Sequence, residues 1–284
     1  MPFEIILLLL AAAAMHAVWN GMVKGAGDSV VMASWIYCGS GALLAPALFF
    51  LPPLPAQGWW LLAVHFALHM VYKTLLINMY RLGDFSRVFP VARGSAPALV
   101  TLAAIPAAGE LPAPLALAGV AIITLGLVVF AAEPRALERA SLNSFLLAAG
   151  AGVVVSAYTI VDALGVRLEG VGLTYFITLF AVDGAGMALL GLWWRGRGLL
   201  PAMAATWRLG VPGSLMSIAN FGIVLWVVSF TPIGLVAAVR ETSIVMAALI
   251  GVIFFREGFG PRRVVASAII VAGIALLNLV GRGG

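Results

Sequence analysis

His65, His69 and Lys73 follow one another at intervals of four, with Tyr72 beside the last, so they share one face of a helix. Leu62, Phe66, Val71 and Leu75 fall elsewhere on the same turns. Two imidazoles, a phenol and an ammonium in one stripe suit the lining of a polar cavity. The bland reading of the same stripe is hydrogen bonding that only holds helices together. A second polar group, His16, Trp19 and Asn20, places His16 and Asn20 on a common face by the same spacing. Tyr158 and Asp162 are also one turn apart, and Asp183 is a further carboxylate inside an apolar run. Arg93 has Ser95 two positions on, and Arg240 is followed by Glu241 and Ser243. A guanidinium can hold a carboxylate through two parallel hydrogen bonds, whereas a structural arginine would bind carbonyls or pack an interface. Trp19, Trp226, Tyr158 and Tyr175 are expected inside, and the doublets Trp59-Trp60 and Trp193-Trp194 at boundaries. The three histidines could in principle bind a metal, but no carboxylate stands near them in the chain, so neither metal nor other cofactor is expected.

The elements that must carry these residues are membrane spans. Hydrophobic residues make up 63% of 284 positions, charged residues 10%, and the mean hydropathy is +1.12. A soluble domain of this length needs far more polar surface. A formal charge of +5 does not signal nucleic acid, because the basic residues are scattered singly between apolar runs. The single cysteine, Cys38, excludes an internal disulfide. Glu4 stands where a secretory signal would be positive, so the first apolar run reads as a span. No Walker A loop, G-x-S-x-G elbow or H-E-x-x-H pair occurs.

Ten segments are long enough to cross, near 3–22, 29–51, 58–80, 85–106, 113–132, 143–166, 171–194, 207–230, 232–255 and 262–280. Of the sixteen Lys and Arg, Lys73, Arg93 and Arg240 lie deep within spans, and eleven of the other thirteen fall in odd-numbered connections or within three residues of them. The positive-inside rule then puts the central linker in the cytoplasm and both termini outside. Arg93, Glu110, Pro114 and Gly126 recur as Arg240, Glu257, Pro261 and Gly273, each 147 positions later, and Ala121-Ile122-Ile123 returns as Ala268-Ile269-Ile270. A duplicated unit with an odd number of spans sets its second copy upside down. The loops at 52–57 and 107–112 carry no Lys or Arg, while their counterparts near 195–197 and 256–263 are basic, as inversion requires. The expected fold is an all-α membrane protein of ten helices, two inverted five-helix repeats around a central cavity. Its units are 1–132, a linker at 133–142, and 143–284.

With five plus five spans, His16-Ala17-x-Trp19-Asn20, Arg93-x-Ser95-x-Pro97 and the Gly109-Glu110 turn with its echo Arg256-Glu257, the chain resembles the drug/metabolite transporter superfamily, in particular EamA-type exporters. The resemblance implies a cavity between the halves and export of amino acids or similar metabolites by alternating access. It also implies a multi-pass protein of a bacterial-type inner membrane. The uncharged 52–57 loop and the histidine-bearing third span depart from the commonest pattern of that family. On this expectation Lys73, Arg93 and Arg240 receive a carboxylate, and Asp162 or Glu241 an ammonium. Trp19, Tyr72, Tyr158 and Trp226 pack the side chain, and a monomer in the lipid bilayer suffices. A multidrug or organic-cation exporter would need net negative cavity charge, whereas the spans hold three cations and three carboxylates (Asp162, Asp183, Glu241). An intramembrane lipid-modifying enzyme would need a clustered nucleophile and base.

Overall fold

The computed structural model describes the backbone over 1–81, 85–131, 142–246, 249 and 260–282. Within these ranges the side chains at 24–25, 73–74, 76–81, 85–93, 95, 131, 142–145, 148 and 280–282 fall outside the description. Helices follow the apolar runs: α1 (Phe3–Gly25), α2 (Ser29–Ser34), α3 (Ser40–Leu44), α4 (Ala56–Arg81), α5 (Phe85–Ala108), α6 (Pro114–Ala131), α7 (Leu142–Val166), α8 (Gly172–Arg195), α9 (Leu199–Ala205), α10 (Trp207–Val228), α11 (Ile233–Arg240) and α12 (Pro261–Arg282). There is no strand among the described residues. Among the described residues, six helical stretches are long and apolar enough to cross a membrane: Phe3–Val23, Ser29–Phe50, Ala149–Val166, Gly172–Ala205, Trp207–Val228 and Pro261–Leu279. In lipid a helix satisfies its own backbone, which suits long uninterrupted apolar runs such as these. The chain is therefore an all-helical, multi-pass membrane protein. The expected linker lies almost wholly outside the described residues, as does Glu257.

The second expected span is not one regular helix. After α2 the chain makes a π turn at Trp35–Gly39, continues as α3, and tightens into a 3-10 stretch at Ala45–Phe50 that carries Pro46 in its first turn. The π turn has a visible cause. The Trp35 carbonyl accepts a hydrogen bond from Ser214 Oγ of α10 at 2.7 Å, and the Trp35 ring packs over Gly210. A side-chain donor from a neighbour thus satisfies a carbonyl that the loosened ladder frees. Asp28 starts the stretch by accepting from the N–H groups of Val30 and Val31, and it also pairs with Arg195.

The repeated residues do visible work in packing. Pro114 and Pro261 each open a helix, where a missing N–H costs nothing. Helices α6 and α12 then meet through glycines. A Cβ on Gly126 would lie 2.6 Å from Ile270 Cγ1 and 3.1 Å from the Ala266 carbonyl. A Cβ on Gly273 would lie 2.7 Å from Ile123 Cγ1 and 3.0 Å from the Gly119 carbonyl. Shifted by 147, each of these contacts becomes the other. Small residues let backbones approach closely where lipid leaves no hydrophobic drive for association, so van der Waals contact carries the stability. Around this seam Leu9, Ile123, Leu127, Val227, Ile233, Ala238 and Leu277 are fully buried.

Glu110, at the turn that Gly109 makes with φ +66°, binds two partners. Its Oε1 lies 2.6 Å from Arg167 and its Oε2 accepts the Ile233 N–H at 2.7 Å, at the start of α11. Arg167 also donates to the carbonyls of Val228 and Thr231. This knot closes one end of the bundle, in line with a structural reading of Glu110.

Candidate functional site

Three helices bring four ionisable groups together in the interior. His65 and His69 project from one face of α4, Asp162 comes from α7, and Asp183 from α8. His65 Nδ1 stands 2.6 Å from Asp162 Oδ1, and its Nε2 3.5 Å from Asp183 Oδ2. His69 Nδ1 reaches the same Asp183 carboxylate, at 2.9 Å and 3.1 Å from its two oxygens. The two imidazole rings lie 4.0 Å apart by centroid. His65 is fully buried and both aspartates nearly so. Buried carboxylates persist only with partners, and here each has an imidazole. Tyr158 presents its ring edge-on to His69 at 4.5 Å, and Tyr72 approaches Tyr158 at 6.1 Å. Tyr175 is wholly buried with its ring packed onto Gly165, where α7 and α8 touch.

A narrow cleft with a free interior of about 10 Å³, room for about one water, adjoins this cluster. Asp162 and Thr159 of α7 form one part of its wall and Arg240 of α11 another. The rest is apolar: Phe221, Val224, Leu225 and Val228 of α10, and Ile233, Val236 and Ala237 of α11. Arg240 is also held by Glu241, 3.1 Å from its guanidinium. An apolar slot with one anionic and one cationic group has the polarity for a small amphipathic molecule carrying both charges, and it must widen to admit one.

The structure sorts the expected residues unevenly. His65, His69, Tyr72, Tyr158 and Asp162 come together, and Arg240 shares the cleft with Asp162. His16, Trp19 and Asn20 form a separate group. His16 Nδ1 lies 3.4 Å from Asn220 of α10, Trp19 stacks edge-on at 4.9 Å, and Asn20 donates back to the His16 carbonyl. Ser243 is buried just beyond Arg240. The side chains of Lys73, Arg93 and Ser95 lie outside the described residues.

Two expectations need correction. Trp226 is not inside: it is 57% exposed and packs on Phe230. Positions 221, 224, 225 and 228 face the cleft, and at 100° per residue that turns 226 to the opposite side. Glu241 is buried beside Arg240, 3.1 Å from its guanidinium, and is not among the residues that line this cleft. Carboxylates do stand near two of the histidines in space, since Asp162 and Asp183 reach His65 and His69 from 97 and 114 positions away. Sequence reasoning missed that pairing and the apolar lining from α10 and α11. The i,i+3,i+4 spacing of the α10 lining was the only available signal.

A multi-pass helical bundle with charges gathered at an internal cleft has the build of a membrane transporter. Residues 142–279, just under half of the chain, match the model of the EamA-like transporter family. No curated protein matches the sequence. A solved structure titled only "Crystal structure of protein" aligns over 99% of this chain and 100% of its own, with a TM-score of 0.70 and 17% identity. At that identity the likeness is one of fold.

Proposed function

We propose that this chain is a secondary transporter that exports small amphipathic metabolites, amino acids foremost, across an inner membrane by alternating access. The observation that carries the reading is Asp162 and Arg240 set in one apolar-lined cleft. An α-amino acid matches it group for group. The ammonium meets Asp162, the carboxylate meets Arg240, and the side chain lies against Phe221, Val224 and Leu225. Charge-assisted hydrogen bonds of this kind hold both ends in register. Lys73 and Arg93 are further cationic groups for the carboxylate along the transport path, and Tyr72, Tyr158 and Trp19 supply aromatic walls.

In this reading the ten expected spans form two inverted repeats, 1–132 and 143–284, joined by a cytoplasmic linker at 133–142. Both termini lie on the periplasmic side, and the unit acts as a monomer. The reciprocal contacts of α6 and α12 support the inversion, because a contact that maps onto itself is what a two-fold relation produces. Rocking of one half against the other would open the cleft to each side in turn.

Flux of radiolabelled amino acids through proteoliposomes tests this. Arg240→Ala and Asp162→Asn should each lower flux by about 10- to 100-fold, the loss expected for one charge-assisted hydrogen bond. Wild-type flux in both variants, or transport confined to organic cations lacking a carboxylate, would sink the proposal.

A further inference from the structure

We propose that His65, His69 and Asp183 bind one divalent transition-metal ion, with Asp162 orienting His65. The site does not depend on which metabolite is exported. His65 and His69 stand at i and i+4 of one helix, the spacing at which two imidazoles grip a single ion. Asp183 supplies the third group from α8. His65 Nε2, His69 Nδ1 and an Asp183 oxygen all lie within 4.8 Å of one another. Four ligands at about 2.0–2.1 Å around a tetrahedral ion stand about 3.3 Å apart. The observed 3.5 Å from His65 Nε2 to Asp183 Oδ2 fits, and the 2.9 Å from His69 Nδ1 needs only a small opening.

A second observation points into the site. His65 Nε2 is buried and makes no hydrogen bond among the described residues, although the ring is fully enclosed. Its other nitrogen is engaged by Asp162 at 2.6 Å. A carboxylate accepting from Nδ1–H leaves the Nε2 lone pair free, the arrangement that commonly stands behind a metal-bound histidine. The two carboxylates also offset the charge that a divalent ion would bring into this buried place. Two nitrogens and one oxygen favour zinc, cobalt, nickel or ferrous iron over magnesium or calcium. His69, at 12% side-chain exposure, leaves an approach for the ion and a fourth ligand.

The cluster is not demanded by the architecture. The positions 147 residues away from Asp162, Asp183, His65 and His69 hold Met15, Ile36, Pro212 and Met216. There Ile36 and Met216 pack in one apolar cluster, so the same frame closes without any charge.

The test is metal binding by the full chain in detergent, with any affinity tag removed and chelator-treated before Co2+ or Zn2+ is added. About one ion per chain is expected, with the visible spectrum of low-coordinate Co2+. His69→Ala and Asp183→Asn should weaken binding at least 100-fold and Asp162→Asn about 10- to 100-fold, while His16→Ala leaves it unchanged. X-ray absorption of the zinc-loaded wild type should count two imidazoles, a reading that needs no variant to fold. No stoichiometric ion on the folded wild type, no imidazole at the zinc, or equal affinity in folded His69→Ala and Asp183→Asn would overturn the assignment.

Discussion

Asp162 belongs to two environments at once: it hydrogen-bonds with His65 across 97 positions of chain, and it lines the cleft that Arg240 also lines. The buried cluster and the cleft therefore share a carboxylate. Its two roles can be separated by substitution. Asp162→Asn keeps an acceptor for His65 and removes the charge, whereas Asp162→Ala leaves Nδ1 without its partner. Alanine should cost about 1–3 kcal/mol more stability than asparagine, the penalty for an orphaned buried group. Both should lose transport. Thermal unfolding in detergent, read beside flux, checks this, and equal melting of the two variants with flux intact would refute it.

The seam between α6 and α12 predicts matched costs. Gly126→Ala and Gly273→Ala each push a methyl into an isoleucine and a backbone carbonyl of the facing helix. Each should destabilise by about 1–3 kcal/mol, the usual range for overpacking. Because the two contacts are neighbours, the double variant should depart from additivity. A large loss in one and none in the other would show that the reciprocity is only geometric.

Glu110→Ala should lower stability with little change in substrate preference. It leaves Arg167 without its carboxylate and the Ile233 N–H without its acceptor. A loss of about 1–3 kcal/mol is expected from the unpaired groups. Relative flux of several amino acids, compared at equal amounts of folded protein, should match the wild type. A shifted preference would move Glu110 from the frame to the binding site.

Position along α10 and α11 should decide what a bulky side chain does. Ala237→Phe fills the cleft and should reduce flux at least 10-fold, since a blocked site loses more than one tenfold step of affinity. Trp226→Leu, on the exposed face, should leave flux within about two-fold, as surface changes cost about 0.5 kcal/mol or less. Proteoliposome uptake of one amino acid by both variants is the measurement. Loss of flux in Trp226→Leu would restore that ring to the path.

Much of the frame was legible in the sequence because lipid simplifies the code. Apolar run length fixes where helices lie, and the prolines at 114 and 261 mark where two of them begin. The shared face of His65 and His69 followed from helical spacing alone. What they face did not, since Asp162 and Asp183 arrive from other helices and nothing local encodes that meeting. Trp226 misled because an indole is equally at home against lipid and in a binding site, and only its phase against 221, 224, 225 and 228 tells them apart. The π turn at Trp35–Gly39 was illegible for a similar reason: its cause, Ser214, sits on another helix.

The glycine and isoleucine contacts of α6 and α12 carry one more consequence. Each helix presents both the ridge and the recess, so the two surfaces are cut from one template and would still fit if their places were exchanged. A change that suits one side must be answered on both, which halves the ways this seam can drift. Such a join tolerates little wear at its glycines, however freely the lipid-facing residues around them vary.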